Sequence, residues 1–305
     1  DGGKYKWLSH RLLDDTQKQV TKDGLKARSE IVAQSWPKEF CYRAQGFDDK
    51  GNPLSSEPGL RPPQLGALFA IGSHWSLYRH PATVIMPTGT GKTETMLSTL
   101  AALPQGTILV TVPSKALRKQ TAHKFLTFGL LRMLRLLPNA IENPVVGILL
   151  RQPKTKDDLT IFDECNVVVA VIPSLSGEKA RVFANDIAKR CGVLIVDEAH
   201  HIGAPTWQEF RTAFADQRVL QFTATPFRAD GKLVDGQIIF SYALRRAQED
   251  GYFKPIRFVP IHELSPQAAD DALAQEACNR LRKDLEAGHE HLMMARCATI
   301  ARAEE

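Results

Sequence analysis

The chain has 305 residues, of which 43% are hydrophobic and 24% are charged, a composition typical of a globular protein with one large domain or two. No window approaches the roughly 18 uninterrupted apolar residues of a membrane span, and the first residues lack the apolar core of a signal peptide. We therefore exclude a membrane-spanning protein and expect a cytoplasmic one with no membrane partner.

The net charge and the spacing of the cysteines further limit the kinds of protein that this chain could be. The formal net charge is +5 and the isoelectric point is near 8.9, a mildly basic balance that permits nucleic-acid binding without requiring it. The five cysteines are scattered singly, with no spacing of the C-x-x-C kind. We expect reduced free thiols and no zinc site.

The first part of the chain is predicted to be a helical extension over residues 1–55. Residues 1–45 are polar, with apolar anchors that suit helices, namely Trp7, Leu12, Leu13, Val20 and Leu25. Residues 46–63 are rich in Gly, Pro and Asn, which favour turns, and indicate a linker or surface loop.

Short apolar runs then alternate with helical stretches through a predicted domain over residues 56–260. The strand candidates are residues 82–86, 107–112, 145–150, 166–172, 193–196 and 218–222, and the clearest helix is residues 92–103. Continuous Val, Ile and Leu runs are typical of strands buried on both faces. The sequence predicts an α/β fold with a doubly wound, mostly parallel sheet.

The pattern of the last part, residues 261–305, predicts a linker helix and the beginning of another domain. An amphipathic helix is predicted over residues 268–287, followed by a strand over residues 291–297 and the start of a further helix. We expect the chain to contain only the opening of that second domain.

A glycine-rich turn follows the strand at residues 82–86 and opens a helix. Gly89 and Gly91 allow backbone angles that a β-carbon forbids, so the turn can present N–H groups to phosphates at the positive end of the helix. Lys92 would contact the β- and γ-phosphates of ATP, and the Thr93 hydroxyl would bind Mg²⁺. The predicted cofactor-binding residues of this loop are Thr88, Gly89, Thr90, Gly91, Lys92 and Thr93. The usual pattern begins with glycine where Met86 stands, and a chance turn is the alternative.

Two adjacent acids end the strand at residues 193–196. In doubly wound sheets this edge is where ligands bind, and buried carboxylates need a cation. We expect Asp197 to hold Mg²⁺ and Glu198 to orient and deprotonate the water that attacks the γ-phosphate. The predicted catalytic residues are therefore Lys92, Asp197 and Glu198. His200 is either a satisfied polar residue or a relay of nucleotide state.

With these motifs, the sequence resembles the superfamily 2 helicases and translocases of the DEAH-box kind, which implies a RecA-like fold. Asp197-Glu198-Ala199-His200 is the DEAH tetrapeptide. The resemblance implies an adenine contact from Gln64 and a cofactor-binding role for Arg61. It implies nucleic-acid contacts from Pro113, Ser114, Lys115 and Ser174, although Pro173 stands where Thr is common. It implies that His200, Thr223 and Thr225 couple hydrolysis to movement.

The stretch from Thr223 to Phe253 is most similar to the branch that contains the helicase subunits of type I and type III restriction enzymes and related DNA repair helicases. This implies a bacterial motor that uses ATP and Mg²⁺, acts on DNA rather than RNA, and has partner subunits in a restriction, defence or repair complex. In such motors a second RecA-like domain supplies arginines to the γ-phosphate, so weak hydrolysis is expected from this chain alone. Two alternatives stay open, an RNA-directed helicase and an ATP-gated switch without unwinding activity.

Overall fold

The computed structural model describes residues 5–7, 22–103, 106–175, 182–201, 205–228, 231–253, 258–263 and 265–295. The chain forms two compact units, Asp1–Phe253 and Lys254–Glu305. The predicted division into residues 1–55, 56–260 and 261–305 stays a prediction about domains.

The first unit is built on one twisted sheet that has eight strands in the part described. Its strands are β1 (Tyr5–Trp7), β2 (Ala82–Ile85), β3 (Thr107–Val112), β4 (Val146–Leu149), β5 (Val167–Val171), β6 (Cys191–Val196), β7 (Arg218–Thr223) and β8 (Gln237–Ser241). Their order across the sheet is β1-β4-β5-β3-β6-β7-β2-β8. β1 pairs antiparallel with β4, and every other pairing is parallel.

Helices connect these strands and cover the sheet. They are α1 (Lys22–Glu39), α2 (Pro62–Leu77), α3 (Lys92–Ala102), α4 (Lys115–Thr127), α5 (Thr160–Glu164), α6 (Ala184–Arg190), α7 (Pro205–Thr212) and α8 (Leu244–Glu249). Among the described residues, no helix combines the length and the apolar character that a membrane crossing needs.

Alternating side chains of the central strands feed two separate hydrophobic cores. In β5, Val167, Val169 and Val171 belong to the core that contains residues of α1 to α4. Val168 and Ala170 belong to the core on the other face, with residues of α5, α6 and α7. All five residues are buried, as expected of a strand covered on both sides. The predicted doubly wound α/β fold is confirmed, and so are its six central strands.

The predicted helical extension is wrong for residues 5–7, which form β1 and pair with Gly147–Leu149 of β4. β1 supplies backbone partners to what is otherwise an unpaired sheet edge. Residues Leu12, Leu13 and Val20 lie outside the described part. α1 confirms the helical prediction for residues 22–39, and its Val32 and Trp36 are buried in the first core. The Trp36 indole Nε1 donates a hydrogen bond to the Glu142 carbonyl at 3.0 Å.

The second unit, described by itself, consists mainly of helix α9 (Pro266–Glu286), which the sequence predicted. The strand predicted over residues 291–297 is wrong for residues 291–295, which pair with no strand of the described chain. Leu292 is fully exposed. A strand needs hydrogen-bonded neighbours, and an apolar run without them stays irregular.

Candidate functional site

The ends of two parallel strands place the two predicted motifs at one edge of the sheet. β2 ends at Ile85 and leads through a turn into α3, while β6 ends at Val196 just before Asp197. Residues of both motifs line one cleft of about 240 Å³. The cleft contains Thr88, Gly89, Gly91, Lys92 and Thr93 of the turn and helix, Asp197 and Glu198 of the strand end, and Glu94, Leu117, Gln120, Thr121 and Lys124.

The turn before α3 has the backbone geometry of a phosphate-binding loop. Gly89 and Gly91 have positive φ angles of 85° and 96°, and Gly91 is the N-cap of α3. Thr90 is fully buried, and its hydroxyl donates to the Pro87 carbonyl at 2.6 Å. The open end of α3 and the left-handed glycines together form a cradle for an anion.

Arg61 and Gln64 brace this loop from the start of α2. The Gln64 amide oxygen accepts from the Arg61 backbone N–H at 2.8 Å, and its Nε2 donates to the Gly91 carbonyl at 3.4 Å. Arg61 donates from its guanidinium to the Gly89 carbonyl at 3.2 Å and lies over the Tyr252 ring at 5.3 Å. Gln64 is only 4% exposed, and its two polar atoms connect the start of α2 to the loop. The adenine contact predicted for Gln64 and the cofactor-binding role predicted for Arg61 stay predictions.

Lys92 and Glu198 meet across the cleft. Lys92 Nζ lies 3.0 Å from Glu198 Oε1 and 3.5 Å from the Met86 carbonyl, to which it donates. Lys92 is only 8% exposed, so its ammonium is held inside the cleft rather than in bulk solvent. The attraction within a buried ion pair offsets the cost of desolvating its two charges only if both partners keep good geometry and their other hydrogen bonds.

Asp197 is held by the backbone at the end of β6. Its N–H donates to the Thr111 carbonyl at 2.9 Å, and its carboxylate accepts from the Glu198 N–H at 3.0 Å. Burial, and then the negative charge of Glu198, raise the pKa of the Asp197 carboxyl to about 6, against the lowering effects of Lys92 and Lys124. Glu198 has a positive φ of 51°, a strained angle for a residue with a β-carbon.

The donor set of the cleft suits a hard divalent cation. The Thr93 hydroxyl and the Asp197 carboxylate are oxygen ligands, which Mg²⁺ prefers, and a carboxylate whose pKa is raised by burial and by Glu198 would be stabilised in its charged form by a cation. Within the described residues, no group of three or more His, Cys, Asp or Glu side chains could hold a metal. A cation here would therefore be shared between these two side chains, water and phosphate, the usual arrangement for Mg²⁺.

A chain of polar contacts connects Glu198 to the end of β7. His200 Nδ1 lies 3.0 Å from Thr223 Oγ1 and 3.5 Å from Glu198 Oε2. The Thr223 hydroxyl donates to the Thr225 carbonyl at 2.7 Å. Since that hydroxyl has one proton, His200 must be the donor at Nδ1. Burial, with smaller effects of His201 and Lys92, lowers the pKa of His200 despite Glu198. The three residues predicted to couple hydrolysis to movement are thus in contact.

A second cleft, of about 440 Å³, lies at the ends of β3, β4 and β5. It brings together Pro113, Lys115 and Ser174 of the predicted nucleic-acid contacts, and its other lining residues are Leu150, Arg151, Gln152, Val171 and Pro173. Ser114 is absent from that lining, because its hydroxyl caps α4 by accepting from the Leu117 N–H at 3.2 Å.

Sequence reasoning missed Arg151 and Gln152 in this second cleft. Gln152 donates to the Pro173 carbonyl at 3.0 Å, and Arg151 adds a second basic side chain beside Lys115. Both residues directly follow β4. Their position after a buried strand was the signal that could have identified them, because ligands bind outside the carboxyl ends of such strands.

A family model described as "Type III restriction enzyme, res subunit" matches residues 57–228. Among curated proteins, none matches the chain. Among solved structures, a nuclease-deletion mutant of the Type ISP restriction-modification enzyme LlaGI, in complex with a DNA substrate mimic, is 18% identical with a TM-score of 0.39. That match covers 74% of this chain and 22% of LlaGI.

Two further solved structures are helicases by their names. The Pyrococcus furiosus Hef helicase domain is 22% identical with a TM-score of 0.34, over 52% of this chain and 33% of that domain. The UvsW helicase from Bacteriophage T4 is 17% identical with a TM-score of 0.39, over 80% of this chain and 73% of UvsW. This chain therefore spans about a fifth of LlaGI and a third of Hef, and no functional conclusion rests on these likenesses.

Proposed function

Because this chain belongs to the family of type III restriction enzyme res subunits, a branch of the superfamily 2 helicases, we propose that it is an ATP-hydrolysing motor acting on DNA. It would bind ATP with Mg²⁺ in the cleft between the glycine-rich turn and the acids, and would use hydrolysis to move along DNA or to separate its strands. We propose a bacterial, cytoplasmic setting and partner subunits of a restriction, defence or repair complex.

The contact of Lys92 with Glu198 is the observation that carries this proposal. The loop lysine and the acid that follows β6 are 106 positions apart in the sequence, yet their charged atoms lie 3.0 Å from each other inside one cleft. That pairing puts a phosphate-binding cation next to a base for water, as hydrolysis of a phosphoanhydride requires.

The contact between Lys92 and Glu198 supports a simple order of events. Lys92 neutralises Glu198 as long as the two side chains stay in contact. A bound triphosphate offers Lys92 stronger acceptors, so the lysine turns to the phosphate oxygens and Glu198 becomes free to hold water. Glu198 then orients that water and accepts its proton. Thr93 and Asp197 would hold Mg²⁺, which would supply positive charge against the phosphate oxygens.

The chain of contacts from Glu198 through His200 to Thr223 and Thr225 supports a coupling role. A change in the contacts of Glu198 would alter its interaction with His200, because the Nδ1 atom of His200 lies near both Glu198 and the Thr223 hydroxyl. Thr223 in turn fixes the Thr225 backbone. We propose that this chain transmits the state of the nucleotide to the loop after β7.

For DNA, the second cleft offers Lys115 and Arg151 as phosphate contacts, with polar Ser174 and Gln152 beside them. Basic side chains that neutralise phosphates carry most of the affinity for nucleic acid and make it salt-dependent. Lys115→Ala and Arg151→Ala should each weaken DNA binding and reduce the salt slope by about 1. Substitution of the exposed Lys156, which lies outside this cleft, should change neither quantity.

The decisive experiment is ATP hydrolysis by the purified full-length protein with and without duplex or partly single-stranded DNA. The proposal expects a rate that rises with DNA, and a rate that DNA does not change would contradict it. Competition of RNA against DNA at a stated salt concentration tests the RNA-directed alternative. A strand-displacement assay distinguishes a motor from an ATP-gated switch.

A further inference from the structure

Helix α4 presents a stripe of side chains to the nucleotide cleft. Leu117, Gln120, Thr121 and Lys124 all line it, and their spacing of three and four positions places them on one helix face. The stripe ends with Lys124, whose ammonium therefore lies on the cleft side of α4. Lys124 belongs neither to the phosphate loop nor to the acid motif, so neither motif explains a cation at this place.

Lys124 is only loosely engaged by its neighbour. Its Nζ lies 3.7 Å from Glu94 Oε1, which is too long for a hydrogen bond. The pair Lys92–Glu198 in the same cleft measures 3.0 Å. Since an ammonium has three donors, Lys124 retains donors for another acceptor, and a side chain that is 37% exposed has room to move toward one.

The other charged side chains of the cleft indicate which ligand the Lys124 ammonium suits. Its ionisable side chains are the cations Lys92 and Lys124 and the acids Glu94, Asp197 and Glu198. A triphosphate with its Mg²⁺ still adds net negative charge to this excess of acids, and Lys92 supplies only one positive charge against it. Lys124 supplies another, and it lies close enough to the acids for its charge to act on Asp197.

We propose that Lys124 is a second phosphate-binding cation of this site, which contacts the terminal phosphate of a nucleoside triphosphate and makes the site favour triphosphate over diphosphate. This inference rests on the proposed function, since it needs ATP in the cleft. Lys124 shares the cleft with the acids that flank the reacting phosphate, whereas the glycine-rich turn cradles the phosphates common to ATP and ADP. Glu94 Oε1, which lies 3.7 Å from the Lys124 Nζ, attracts the lysine without a hydrogen bond that would have to break.

The test is the affinity of the full chain for Mg·ATPγS and for Mg·ADP, measured by isothermal titration calorimetry. Lys124→Gln should weaken ATPγS binding about tenfold, as expected for one charge-assisted contact, and should change ADP binding far less. Lys124→Arg, which keeps the charge, should restore most of the ATPγS affinity. Lys119→Ala, an exposed lysine on the same helix that does not line the cleft, should change neither affinity.

A second variant distinguishes phosphate binding from a brace between α3 and α4. Glu94→Gln also removes the Lys124–Glu94 pair, but it should not reduce the preference for ATPγS over ADP. The proposal is overturned if Lys124→Gln changes both affinities equally or changes neither, or if Glu94→Gln reproduces its effect. If the wild-type chain binds neither nucleotide, the proposed function itself has failed, and that result is distinguishable from these.

Discussion

The Lys92 ammonium lies 3.0 Å from the Glu198 carboxylate, so the lysine that we propose binds phosphate neutralises the residue that we propose activates water. A phosphate that draws Lys92 away would release Glu198 to hold water. The pairing also satisfies two charges that would be costly to leave alone in a cleft where Lys92 is 8% exposed.

Glu198→Gln should reduce the turnover of ATP without weakening its binding. The amide cannot accept the proton of water, so turnover should fall about a hundredfold or more, the usual effect of losing a general base. Lys92 loses its charged partner and is free for phosphate, so ATP should bind at least as tightly as to the wild type. Calorimetry and a phosphate-release assay measure the two quantities. Turnover at the wild-type rate would assign the base to another residue.

Gly91→Ala should damage the phosphate loop more than its backbone angle alone requires. A β-carbon at Gly91 would lie 1.9 Å from Gln64 Nε2, at a φ of +96°. Gly51→Ala is the matched control, because Gly51 has a φ of +80° and open space around it. Gly51→Ala should lose only about 1 kcal/mol of folding stability, because of its backbone angle, and should bind ATP like the wild type.

Thermal unfolding and ATP titration of the two alanine variants measure this difference. The double variant Gly91→Ala with Gln64→Ala removes the collision and should recover part of the stability, although the strained angle remains. Equal losses of stability in Gly91→Ala and Gly51→Ala would show that Gln64 does not pack against the loop as described.

Asp197→Asn should stabilise the metal-free protein at high pH. Folding raises the pKa of this carboxyl from 3.8 to about 6, so the folded state binds its proton more tightly, and stability falls as pH rises from about 4 to 6. The asparagine has no such ionisation. The gain in the free energy of unfolding of Asp197→Asn over the wild type should reach at most about 3 kcal/mol near pH 8, since one pKa unit corresponds to about 1.4 kcal/mol. The gain should vanish below pH 4. Denaturant unfolding at both pH values measures it, and a gain independent of pH would rule out this cause.

Thr223→Val should uncouple hydrolysis from movement. Valine keeps the shape of threonine but removes the hydroxyl that contacts His200 at 3.0 Å and the Thr225 carbonyl at 2.7 Å. DNA-stimulated hydrolysis should persist while strand displacement per ATP falls about tenfold, the effect of losing a hydrogen bond in a buried network. Thr212→Val, at an exposed position of α7, is the control. An equal loss of hydrolysis and displacement would contradict the coupling role.

The sequence predicted those parts of the molecule that have a strong local pattern. β5 is recognisable because Val167–Val171 is continuously apolar, and the phosphate loop is recognisable because Gly91-Lys92-Thr93 follows a strand. β8 was missed because Gln237–Ser241 is half-exposed at the sheet edge and has no such pattern. The strand predicted over residues 291–297 had an apolar pattern, but its described residues 291–295 pair with no strand of the described chain.

Side-chain roles that depend on distant contacts were the least predictable. Gln64 fits a motif that reads adenine, yet its amide hydrogen-bonds to the Arg61 and Gly91 backbone. Lys124 lies on a helix face that carries no motif, and only the packing of α4 against the loop brings it to the cleft. Local sequence shows which residues could perform chemistry, whereas tertiary packing decides which of them meet.

The most direct test of the central claim is the binding of Mg·ATP to Lys92→Ala, measured by calorimetry beside the wild type and the exposed-surface control Lys156→Ala. If the loop lysine and the acids after β6 form one triphosphate site, Lys92→Ala should bind at least about a hundredfold more weakly, since it loses charge-assisted contacts to two phosphates. Lys156→Ala should bind like the wild type. Wild-type affinity in Lys92→Ala would show that ATP does not occupy this cleft.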